Sequence, residues 1–552
     1  MGELVIIPIE TNFYFIKNRP KGMKKPNILL FITDQQRADH VGAYGNPIVK
    51  TPHLDELAQK GYKFSRFYVA TPICMPNRSS LMTGRMPSVH GARHNGIPLD
   101  LGARTFVEVL AEAGYETSLI GKSHLQNMTG VPAILPTADD PKTEGEAKSM
   151  EPGNYDQEWG PAWANNPDFD VELPFYGFKH VDLAIDHGDQ VGGHYWRWLL
   201  KNHPEVAQQS GPEFAIPTPE YELSHFNQAW RTKVPEDLST NAYIGERAKE
   251  KIQEYASAEQ PFFMMCSFPD PHHPFTPHGK YWDMYDPDEV ELPPSFYEAN
   301  AENVPPPVRW LYEQRDQGKA KKSTPAVFAC TEREAREAIA LNYGSITHID
   351  AVIGEVVAEL ERQNIADNTI IIFMSDHGDF FGDHQLLLKG PIHYQSILRT
   401  PFIWYDPQAR SSPQVEQTEA VLASTIDVAA TILDRVGVTP YNGLQGKSLL
   451  TAMQKPERFK RDFLVVEEEG QRIMFGFKHR VRMRTLISER YRLSLYEGAD
   501  WGELYDLEQD PDEIVNCWDR PEYQTTKNEL LKTLIQTMIE YSETSPYPTA
   551  LA

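Results

Sequence analysis

Two uninterrupted apolar segments, residues 27–33 (Asn-Ile-Leu-Leu-Phe-Ile-Thr) and 369–374 (Thr-Ile-Ile-Ile-Phe-Met), constrain the fold more than any other feature of the chain. Neither segment alternates polar with apolar residues, so each is predicted to be a strand that is buried on both faces. Such strands belong to parallel sheets that helices cover on both sides. Acidic residues follow both segments, Asp34 in the first case and Asp376 in the second. Ligands bind at these carboxyl ends in open α/β sheets.

Strand and helix patterns alternate along the rest of the first 455 residues. Residues 51–61 illustrate the helical pattern, because Thr51 can cap the first turn, Pro52 fits it and Gly61 can end the helix. The alternation predicts an α/β fold, a doubly wound mixed sheet flanked by helices. Further strands are predicted at 64–69, 115–120 and 261–268, and further helices at 105–113, 237–256, 332–362 and 426–436.

The pattern changes near residue 455, where we place a domain boundary. Short apolar-rich runs at 463–466, 473–477 and 491–496 predict a small antiparallel sheet, and residues 524–541 predict a closing helix. The C-terminal part, 456–552, is therefore predicted to be a smaller α+β subdomain with a tail.

The N-terminal side of this boundary is divided into an extension, residues 1–24, and a large catalytic domain, residues 25–455. Two segments of the large domain, 125–235 and 285–330, lose the regular pattern and are rich in Pro, Tyr and Trp. Their aromatic content argues against disorder, so they are predicted to be insertions that form the walls of a pocket.

The composition is that of a soluble globular protein, with 40% hydrophobic and 24% charged residues. A formal net charge of -25 argues against nucleic acid and anionic membranes as partners, because both bind basic surfaces. The first apolar run lacks a basic leader and is broken by Pro8 and Glu10, so no secretion signal or membrane span is predicted. The 4 cysteines are too irregularly spaced for a disulfide framework. We expect a cytoplasmic protein with reduced cysteines.

One cysteine occupies a position that favours an anion. In residues 71–85 (Thr-Pro-Ile-Cys-Met-Pro-Asn-Arg-Ser-Ser-Leu-Met-Thr-Gly-Arg), Pro76 fits a first helical turn and Gly84 can end the helix. Cys74 is therefore predicted at a helix N-terminus, where free N–H groups and the helix dipole stabilise negative charge, with Arg78 one turn further on. Other interpretations are a buried structural cysteine and a thiolate phosphatase, although Cys74 and Arg78 enclose too few residues to wrap a phosphate.

The pattern Cys-x-Pro-x-Arg followed by Leu-Met-Thr-Gly-Arg resembles the signature of the type I sulfatases, in the alkaline phosphatase superfamily. The resemblance implies an alkaline-phosphatase-like fold and the activity of a sulfuric ester hydrolase similar to arylsulfatases. It also implies that a formylglycine-generating enzyme oxidises Cys74 to formylglycine, whose hydrate is the nucleophile. The expected substrate is a small-molecule sulfate ester.

The two acidic strand ends can deliver ligands to one divalent cation, because hard cations prefer several oxygen ligands. Asp34 and Gln35 would form one set, Asp376 and His377 the other, and the oxygen made from Cys74 would complete the site. In the resembling family the first pair is usually Asp-Asp. Gln35 indicates the Asp-Gln branch, near arylsulfatases and phosphonate monoester hydrolases. One metal ion per subunit is implied, Ca2+ with Mn2+ as the alternative.

Basic residues that can contact an oxyanion follow the predicted strand at 115–120. Residues 121–125 (Gly-Lys-Ser-His-Leu) resemble the family's Gly-Lys-x-His-Leu segment, in which the lysine and the histidine contact the formylglycine. The resemblance thus implies site roles for Lys122 and His124. Phosphonate monoester hydrolases carry uncharged hydroxyl residues at these positions, so the pair favours a sulfate ester. The glycine-rich segment 187–194 is interpreted as a turn, with a substrate contact as the less favoured alternative.

Other site residues follow from further motifs of the family. Residues 271–274 (Pro-His-His-Pro) match Pro-His-x-Pro, which implies that His272 is the catalytic histidine and that His273 is the less favoured choice. Lys389 corresponds to the sulfate-binding lysine, and His384 in the same loop is expected only to support it. Asn95 resembles a polar substrate contact of the Asp-Gln branch.

These roles imply a mechanism. Arg78 and the metal hold one hydroxyl of the formylglycine hydrate in line with sulfur, while Lys122 and Lys389 neutralise the sulfuryl oxygens. His272, assisted by Lys389, protonates the leaving alcohol, and His124 takes the proton from the second hydroxyl as sulfate departs.

Two other functions remain open at this point. The first is a phosphonate monoester or phosphodiester hydrolase of the same superfamily, which Gln35 favours and which Lys122 and His124 oppose. The second is a non-catalytic, metal-stabilised binding protein in which Cys74 stays a thiol. In each case the N-terminal extension and the C-terminal tail make a homodimer or a larger homo-oligomer the expected assembly.

Overall fold

Strands and helices alternate through most of the chain, as the sequence pattern predicts. In a computed structural model of the protein, the described residues are 25–131, 147–219, 221–300, 302–409, 418 and 420–550, so the predicted N-terminal extension lies outside them. The strands are β1 (Asn27–Thr33), β2 (Tyr62–Lys63), β3 (Phe67–Tyr68), β4 (Glu116–Gly121), β5 (His180–Ile185), β6 (Phe262–Ser267), β7 (Phe328–Ala329), β8 (Thr369–Ser375), β9 (Leu386–Leu387), β10 (Phe402–Tyr405), β11 (Ala423–Ser424), β12 (Phe463–Ile473), β13 (Arg480–Ser488), β14 (Tyr491–Tyr496) and β15 (Gly502–Asp506). The α-helices are α1 (Pro52–Lys60), α2 (Cys74–Thr83), α3 (Pro87–His90), α4 (Phe106–Glu112), α5 (Gly160–Asn165), α6 (Gly193–Asn202), α7 (Pro204–Ala207), α8 (Thr240–Ala256), α9 (Pro294–Glu298), α10 (Pro306–Asp316), α11 (Glu332–Arg362), α12 (Gln395–Leu398), α13 (Ile426–Val436), α14 (Leu450–Gln454) and α15 (Gln524–Glu540).

The main sheet of the described residues has the strand order β2-β10-β8-β1-β6-β4-β5. The run from β8 to β5 is parallel, whereas β10 is antiparallel to β8 and β2 is antiparallel to β10. The two apolar runs that define the fold lie side by side at the centre, in register from Asn27 opposite Thr369 to Thr33 opposite Ser375. The predicted mixed sheet flanked by helices is confirmed.

Each face of the sheet has its own apolar core, because successive side chains of a strand point to opposite faces. Ile28, Leu30 and Ile32 of β1 pack in the layer that includes residues of α2, α4 and α13. Leu29 and Phe31 pack in the layer that includes residues of α1, α8 and α11. This two-sided burial explains the continuous apolar sequence of β1.

A second sheet, with the order β12-β13-β14-β15, is antiparallel throughout and shares an apolar core with α15. The predicted small antiparallel sheet is therefore confirmed. The strand predicted at 473–477 is wrong beyond Ile473, however, because Ile473 ends β12 and residues 474–479 connect it to β13. The sequence interpretation missed β13, in which buried Val481 and Met483 alternate with arginines, the pattern of a strand with one buried face.

The two segments predicted as irregular insertions contain regular structure. Strand β5 lies within 125–235 and pairs with β4 at the edge of the main sheet, so this range is not wholly an insertion. Segment 285–330 contains α9 and α10, and α10 begins at Pro306 because proline fits a first helical turn. The division of the chain into domains stays a prediction.

All four cysteines, Cys74, Cys266, Cys330 and Cys517, are buried and free, in agreement with the expected reduced state. Every helix among the described residues lacks either the length or the apolar character that a membrane span requires.

Candidate active site

Neighbouring parallel strands of the main sheet all lead to one site at their carboxyl ends. In the spatial order β8, β1, β6, β4 and β5, the segments that follow these strands carry Asp376, Asp34, His272, Lys122 and His187. Because parallel strands align their carboxyl ends at one edge, residues that are far apart in sequence become neighbours there.

Cys74 is the first residue of α2, a helix whose residues are all buried. Gly84 follows α2 with φ +59°, the left-handed conformation that ends helices and that glycine adopts without strain. Asn77 anchors the first turn, since its Oδ1 accepts from Ala70 N at 3.1 Å and its Nδ2 donates to the Asp376 carbonyl. The helix therefore holds Cys74 beside the end of β8.

Four buried side chains, Asp34, Cys74, Asp376 and His377, form a cluster in which one ligand atom of each lies within 4.8 Å of the others. His377 Nε2 is 3.0 Å from Cys74 Sγ and 3.4 Å from Asp34 Oδ1. Cys74 Sγ is 3.7 Å from Asp34 Oδ1. Two carboxylates and an imidazole that converge on residue 74 are a donor set that fits a divalent cation.

Gln35 borders this cluster, but its amide has other partners. The Gln35 backbone N–H donates to Asp376 Oδ1 at 3.1 Å, and its Oε1 accepts from Lys389 Nζ at 2.8 Å. Its Nε2 donates to Asp379 Oδ2 and lies 3.1 Å from His273 Nδ1. The structure therefore places Gln35 between the acidic cluster and Lys389, and it adds Asp379, which the sequence interpretation missed.

Arg78 joins the ends of three strands. Its Nε donates to Asp376 Oδ2 and its Nη1 to Ser267 Oγ, both at 2.8 Å, and Nη1 also donates to the Lys122 carbonyl at 3.1 Å. Nη2 lies 3.7 Å from Asp34 Oδ2 and has no hydrogen-bond partner within the described part of the chain. This buried N–H group is available to a further acceptor.

Lys122 is fully buried and forms an ion pair with Asp34. Its Nζ also hydrogen-bonds to His187 Nε2, which is 3.5 Å from Asp34 Oδ2. The turn that the sequence favours is present at residues 188–189, and the His187 side chain just before it enters the site. His187 lies directly after β5, a position that is typical of site residues in this fold. The sequence interpretation did not use this position because it did not predict β5.

His272 and Lys389 form a buried pair on another side of the site. Lys389 Nζ lies 2.8 Å from His272 Nε2, and His272 Nδ1 faces the His273 carbonyl. An ammonium group only donates hydrogen bonds, so Nε2 accepts and the proton of the neutral ring is on Nδ1. Between the two candidate histidines, only His272 contacts Lys389, because His273 is turned towards Gln35.

The other predicted residues are His124, Asn95 and His384. His124 has φ +55°, its backbone N–H donates to Glu158 Oε2 at 2.6 Å, and its buried Nδ1 has no partner among the described residues. Asn95 Oδ1 accepts from Met75 N at 3.2 Å, next to Cys74. His384 stacks on Tyr394 with ring centroids 3.6 Å apart.

The environment of Cys74 disfavours a thiolate. Burial raises the pKa of Cys74, and the Asp34 carboxylate raises it further. Burial also acts to raise the pKa of Asp34, but the Lys122 ammonium and the Arg78 guanidinium act against it, so this pKa lies well below its usual value. For the unmodified thiol, burial and the neighbouring carboxylate thus act against the stabilisation of negative charge that a helix N-terminus provides.

Burial lowers the pKa of three histidines at the site. Lys122 adds to the effect of burial on the pKa of His124, and His187 and Lys389 add to it for His272. Burial and Lys389 lower the pKa of His377 as well. Neutral imidazoles can accept protons or bind a metal ion at neutral pH.

Comparison with known proteins agrees with this geometry. The Sulfatase family model matches residues 26–438, and a model described as N-sulphoglucosamine sulphohydrolase, C-terminal, matches residues 382–540. An arylsulfatase of Clostridium perfringens is 26% identical over 525 residues, which cover 93% of this chain and 94% of that protein. The multifunctional alkaline phosphatase superfamily protein PehA of Trinickia caryophylli is 28% identical over 519 residues, with coverages of 91% and 93%.

Solved structures support the same fold. A phosphonate monoester hydrolase from Silicibacter pomeroyi superposes with a TM-score of 0.71 and 24% identity, over 94% of this chain and 96% of that one. The phosphonate monoester hydrolase of Agrobacterium radiobacter gives 0.69 and 24%, with the same coverages. Since the family model spans most of the chain, the resemblance drawn from the cysteine motif is confirmed, and this protein belongs to the sulfatase family of hydrolases.

Proposed function

We propose that the protein hydrolyses sulfuric esters of small molecules, with formylglycine made from Cys74 and one divalent metal ion. The observation that carries this proposal is the set of buried cations around Cys74 in a protein with a net charge of -25. Lys122, Arg78 and Lys389 are 0%, 2% and 8% exposed. Such cations match a sulfate ester, an anion that the negative field of the whole protein repels.

Asp34, Asp376 and His377 would hold the metal ion together with residue 74. When present, the metal supplies Lewis acidity and the hydrated formylglycine supplies a nucleophilic hydroxyl group. Ca2+ takes oxygen ligands, whereas an imidazole nitrogen suits transition metals. The carboxylates of Asp34 and Asp376 suit Ca2+ and Mn2+ alike, so Ca2+ stays the proposed ion and Mn2+ the alternative.

The chain's own cations neutralise the ester oxygens. Lys122 contacts Asp34 and Lys389 contacts Gln35, so the two ammonium groups flank this pair of neighbouring residues. The unpaired Nη2 of Arg78 provides a third donor near Asp34. Donors that are fixed before the reaction need no reorganisation, and each typically contributes about 10²–10³-fold to kcat.

Proton transfers involve two histidines. Lys389 Nζ donates to His272 Nε2 at 2.8 Å, so the transferable proton of this pair is the one that Lys389 carries, and the pair delivers it to the leaving alcohol and leaves Lys389 neutral. His124 has an unpaired Nδ1, and burial lowers its pKa, so it is available as the base for the second proton. These assignments give the acid and the base separate side chains.

A phosphonate monoester or phosphodiester hydrolase is the second candidate. It is favoured by Gln35 in place of a second aspartate and by the fold shared with phosphonate monoester hydrolases. Lys122 and His124 oppose it, since the sequence resemblance associates this pair with sulfate esters.

Matched substrates separate the two candidates. We expect kcat/KM for 4-nitrophenyl sulfate to exceed that for 4-nitrophenyl phenylphosphonate by at least about tenfold. Lys122→Thr should lower the sulfatase activity by about 10²-fold and the phosphonate activity less. Lys532→Thr, on the exposed side of α15, is the control and should change neither rate. A preference for the phosphonate in the wild-type enzyme would favour the second candidate.

Three further properties are proposed from the sequence alone. These are maturation by a formylglycine-generating enzyme, a homodimer or larger assembly, and a cytoplasmic location. The non-catalytic alternative requires Cys74 to remain a thiol in protein from the native host, which peptide mass spectrometry tests directly.

A further inference from the structure

His187 is held in the site by a tight loop after β5. Asp186 has φ +81° and Gly188 has φ +66°, so the backbone on both sides of His187 is left-handed. A methyl group at Gly188 would lie 3.0 Å from Pro274 Cγ, because the loop packs against the segment that carries His272. The His187 side chain is only 13% exposed. The loop therefore fixes the position of the His187 ring inside the site.

The His187 ring stacks on His272. The ring centroids are 3.7 Å apart and the planes differ by 19°, and His273 stacks on His272 with centroids 4.1 Å apart. His273 is fixed in turn by the Gln35 amide at 3.1 Å. His187 therefore closes one side of a stack of three imidazoles whose other members are anchored in the site.

Hydrogen bonds fix the tautomer of His187. Lys122 Nζ can only donate, so His187 Nε2 accepts from it and the proton of the neutral ring is on Nδ1. The Nδ1–H group donates to Asp186 Oδ1, which is 3.1 Å from Nδ1. The His187 ring thus connects Asp186 with the buried Lys122 through hydrogen bonds at its two nitrogens.

We propose, on the basis of the sulfatase function proposed above, that His187 is a positioning residue for the leaving-group histidine. The stack holds the plane of the His272 ring, so that the proton that Lys389 carries reaches the leaving oxygen. The hydrogen bond from Lys122 holds that lysine against Asp34. The two tasks use different parts of His187, its ring face and its Nε2, and different substitutions therefore separate them.

The test combines two variants with two substrates. His187→Gln offers an acceptor to Lys122 but removes the ring, whereas His187→Phe keeps a ring but removes the acceptor. A good leaving group, as in 4-nitrophenyl sulfate, needs little protonation, whereas phenyl sulfate needs more. We expect His187→Gln to lower kcat for phenyl sulfate about tenfold more than for 4-nitrophenyl sulfate. His187→Phe should lower both rates by similar factors.

A structural role alone would not produce this dependence on the leaving group. Metal content and the thermal midpoint are measured for each variant, and His180→Gln at the other end of β5 is the matched control.

Long-range 1H–15N NMR of the histidine rings should show the Nδ1-protonated form of His187 in the wild-type protein. Should the ring variants fold poorly, Asp186→Gly tests the tautomer, because glycine accepts the left-handed backbone. It should give a smaller loss with the same leaving-group dependence.

Equal losses on both substrates for His187→Gln, or losses below about twofold for both variants, would overturn the proposal. Failure of the sulfatase function is recognised separately, since wild-type enzyme would then cleave phosphonate but not sulfate esters. The same comparison of leaving groups is then made with phenyl and 4-nitrophenyl phosphonates. Wild-type enzyme that cleaves neither class would overturn both proposals.

Discussion

Arg78 connects three strand ends through a single side chain. It donates to Asp376 and Ser267 at 2.8 Å while only 2% exposed. Lysine keeps the positive charge but cannot reproduce the planar fork of donors. We expect Arg78→Lys to lower kcat by about 10²-fold or more and to reduce the free energy of unfolding by about 3 kcal/mol, because buried Asp376 loses a partner. Steady-state kinetics and urea unfolding measure both effects.

Arg482→Lys is the control for this substitution. Arg482 is 51% exposed and pairs with Glu469 at 3.4 Å on the surface of the second sheet, so we expect a change within about 0.5 kcal/mol. Near-wild-type kcat in Arg78→Lys would remove Arg78 from the proposed oxyanion site.

Motifs predicted individual site residues where a short pattern carries the chemistry. The cysteine stretch led to Cys74 and Arg78, and the strand ends led to Asp34 and Asp376. His187 and Asp379 were missed because their roles depend on contacts across the sheet, with partners such as Lys122 and Gln35 that lie far away in sequence. The direction of the Cys74 pKa shift could not be predicted from the residues around Cys74 in sequence, because it depends on burial and on Asp34.

At the scale of single elements, the end of β4 sets the position of Lys122. Gly121 has φ +107°, and a methyl group there would lie 1.9 Å from the Ser267 carbonyl oxygen. We therefore expect Gly121→Ala to separate β4 from β6, to destabilise the protein by more than about 2 kcal/mol and to lower kcat. Urea unfolding and kinetics at saturating substrate measure the two effects.

Gly114→Ala provides a control on the same strand connection. Gly114 has φ +87°, but a methyl group there would meet nothing within 4 Å. Only backbone strain remains, so we expect a loss of about 1 kcal/mol and an unchanged kcat. Equal effects of the two substitutions would show that the contact with Ser267 does not matter.

Long periodic elements were predictable and short edge strands were not. Helices α11 and α13 have the predicted bounds because each carries a sustained apolar stripe, and α11 also begins with a capping box formed by Thr331 and Glu334. Strand β5 is the edge strand next to β4, and it alternates His180 and Asp182 with apolar residues. An alternation over so few residues does not distinguish a strand from the irregular, Pro- and Gly-rich sequence around it.

At the scale of the whole molecule, two buried histidines link stability to pH. His278 has no hydrogen-bond partner for either ring nitrogen among the described residues, and burial lowers its pKa to about 4. Burial and His278 lower the pKa of His348 to about 3, with the two ring centroids 6.1 Å apart. The unfolded chain takes up these protons near pH 6.5, so the free energy of unfolding decreases as the pH falls from about 6.5 to 4.

The share of His278 alone is about 3 kcal/mol at pH 4, from its pKa shift. We expect His278→Leu to flatten the pH dependence of the free energy of unfolding between pH 6.5 and 4 by about this amount. Urea unfolding at a series of pH values measures the slope. His479→Leu, at an exposed histidine, should leave the slope unchanged. An unaltered slope in His278→Leu would show that this ring is already protonated in the folded protein.

Metal binding should stabilise the whole protein, because only the folded chain brings the carboxylates of Asp34 and Asp376 together into one binding site. A ligand at about 1,000 times its Kd contributes about 4 kcal/mol. We expect a chelator to lower the thermal midpoint and Ca2+, or Mn2+ as the alternative ion, to restore it. Asp376→Asn should respond less to chelation. An identical midpoint with and without metal would contradict the assignment of the cluster.

The central claim is that residue 74 acts in its oxidised form, and one measurement tests it most directly. The tryptic peptide 67–78 (Phe-Tyr-Val-Ala-Thr-Pro-Ile-Cys-Met-Pro-Asn-Arg) contains Cys74 and reports the state of its side chain by mass. Preparations made with increasing amounts of a formylglycine-generating enzyme are compared by mass spectrometry and by specific activity. We predict that sulfatase activity rises in proportion to the aldehyde fraction and is absent in Cys74→Ala. Full activity in protein whose Cys74 is entirely a thiol would contradict the account.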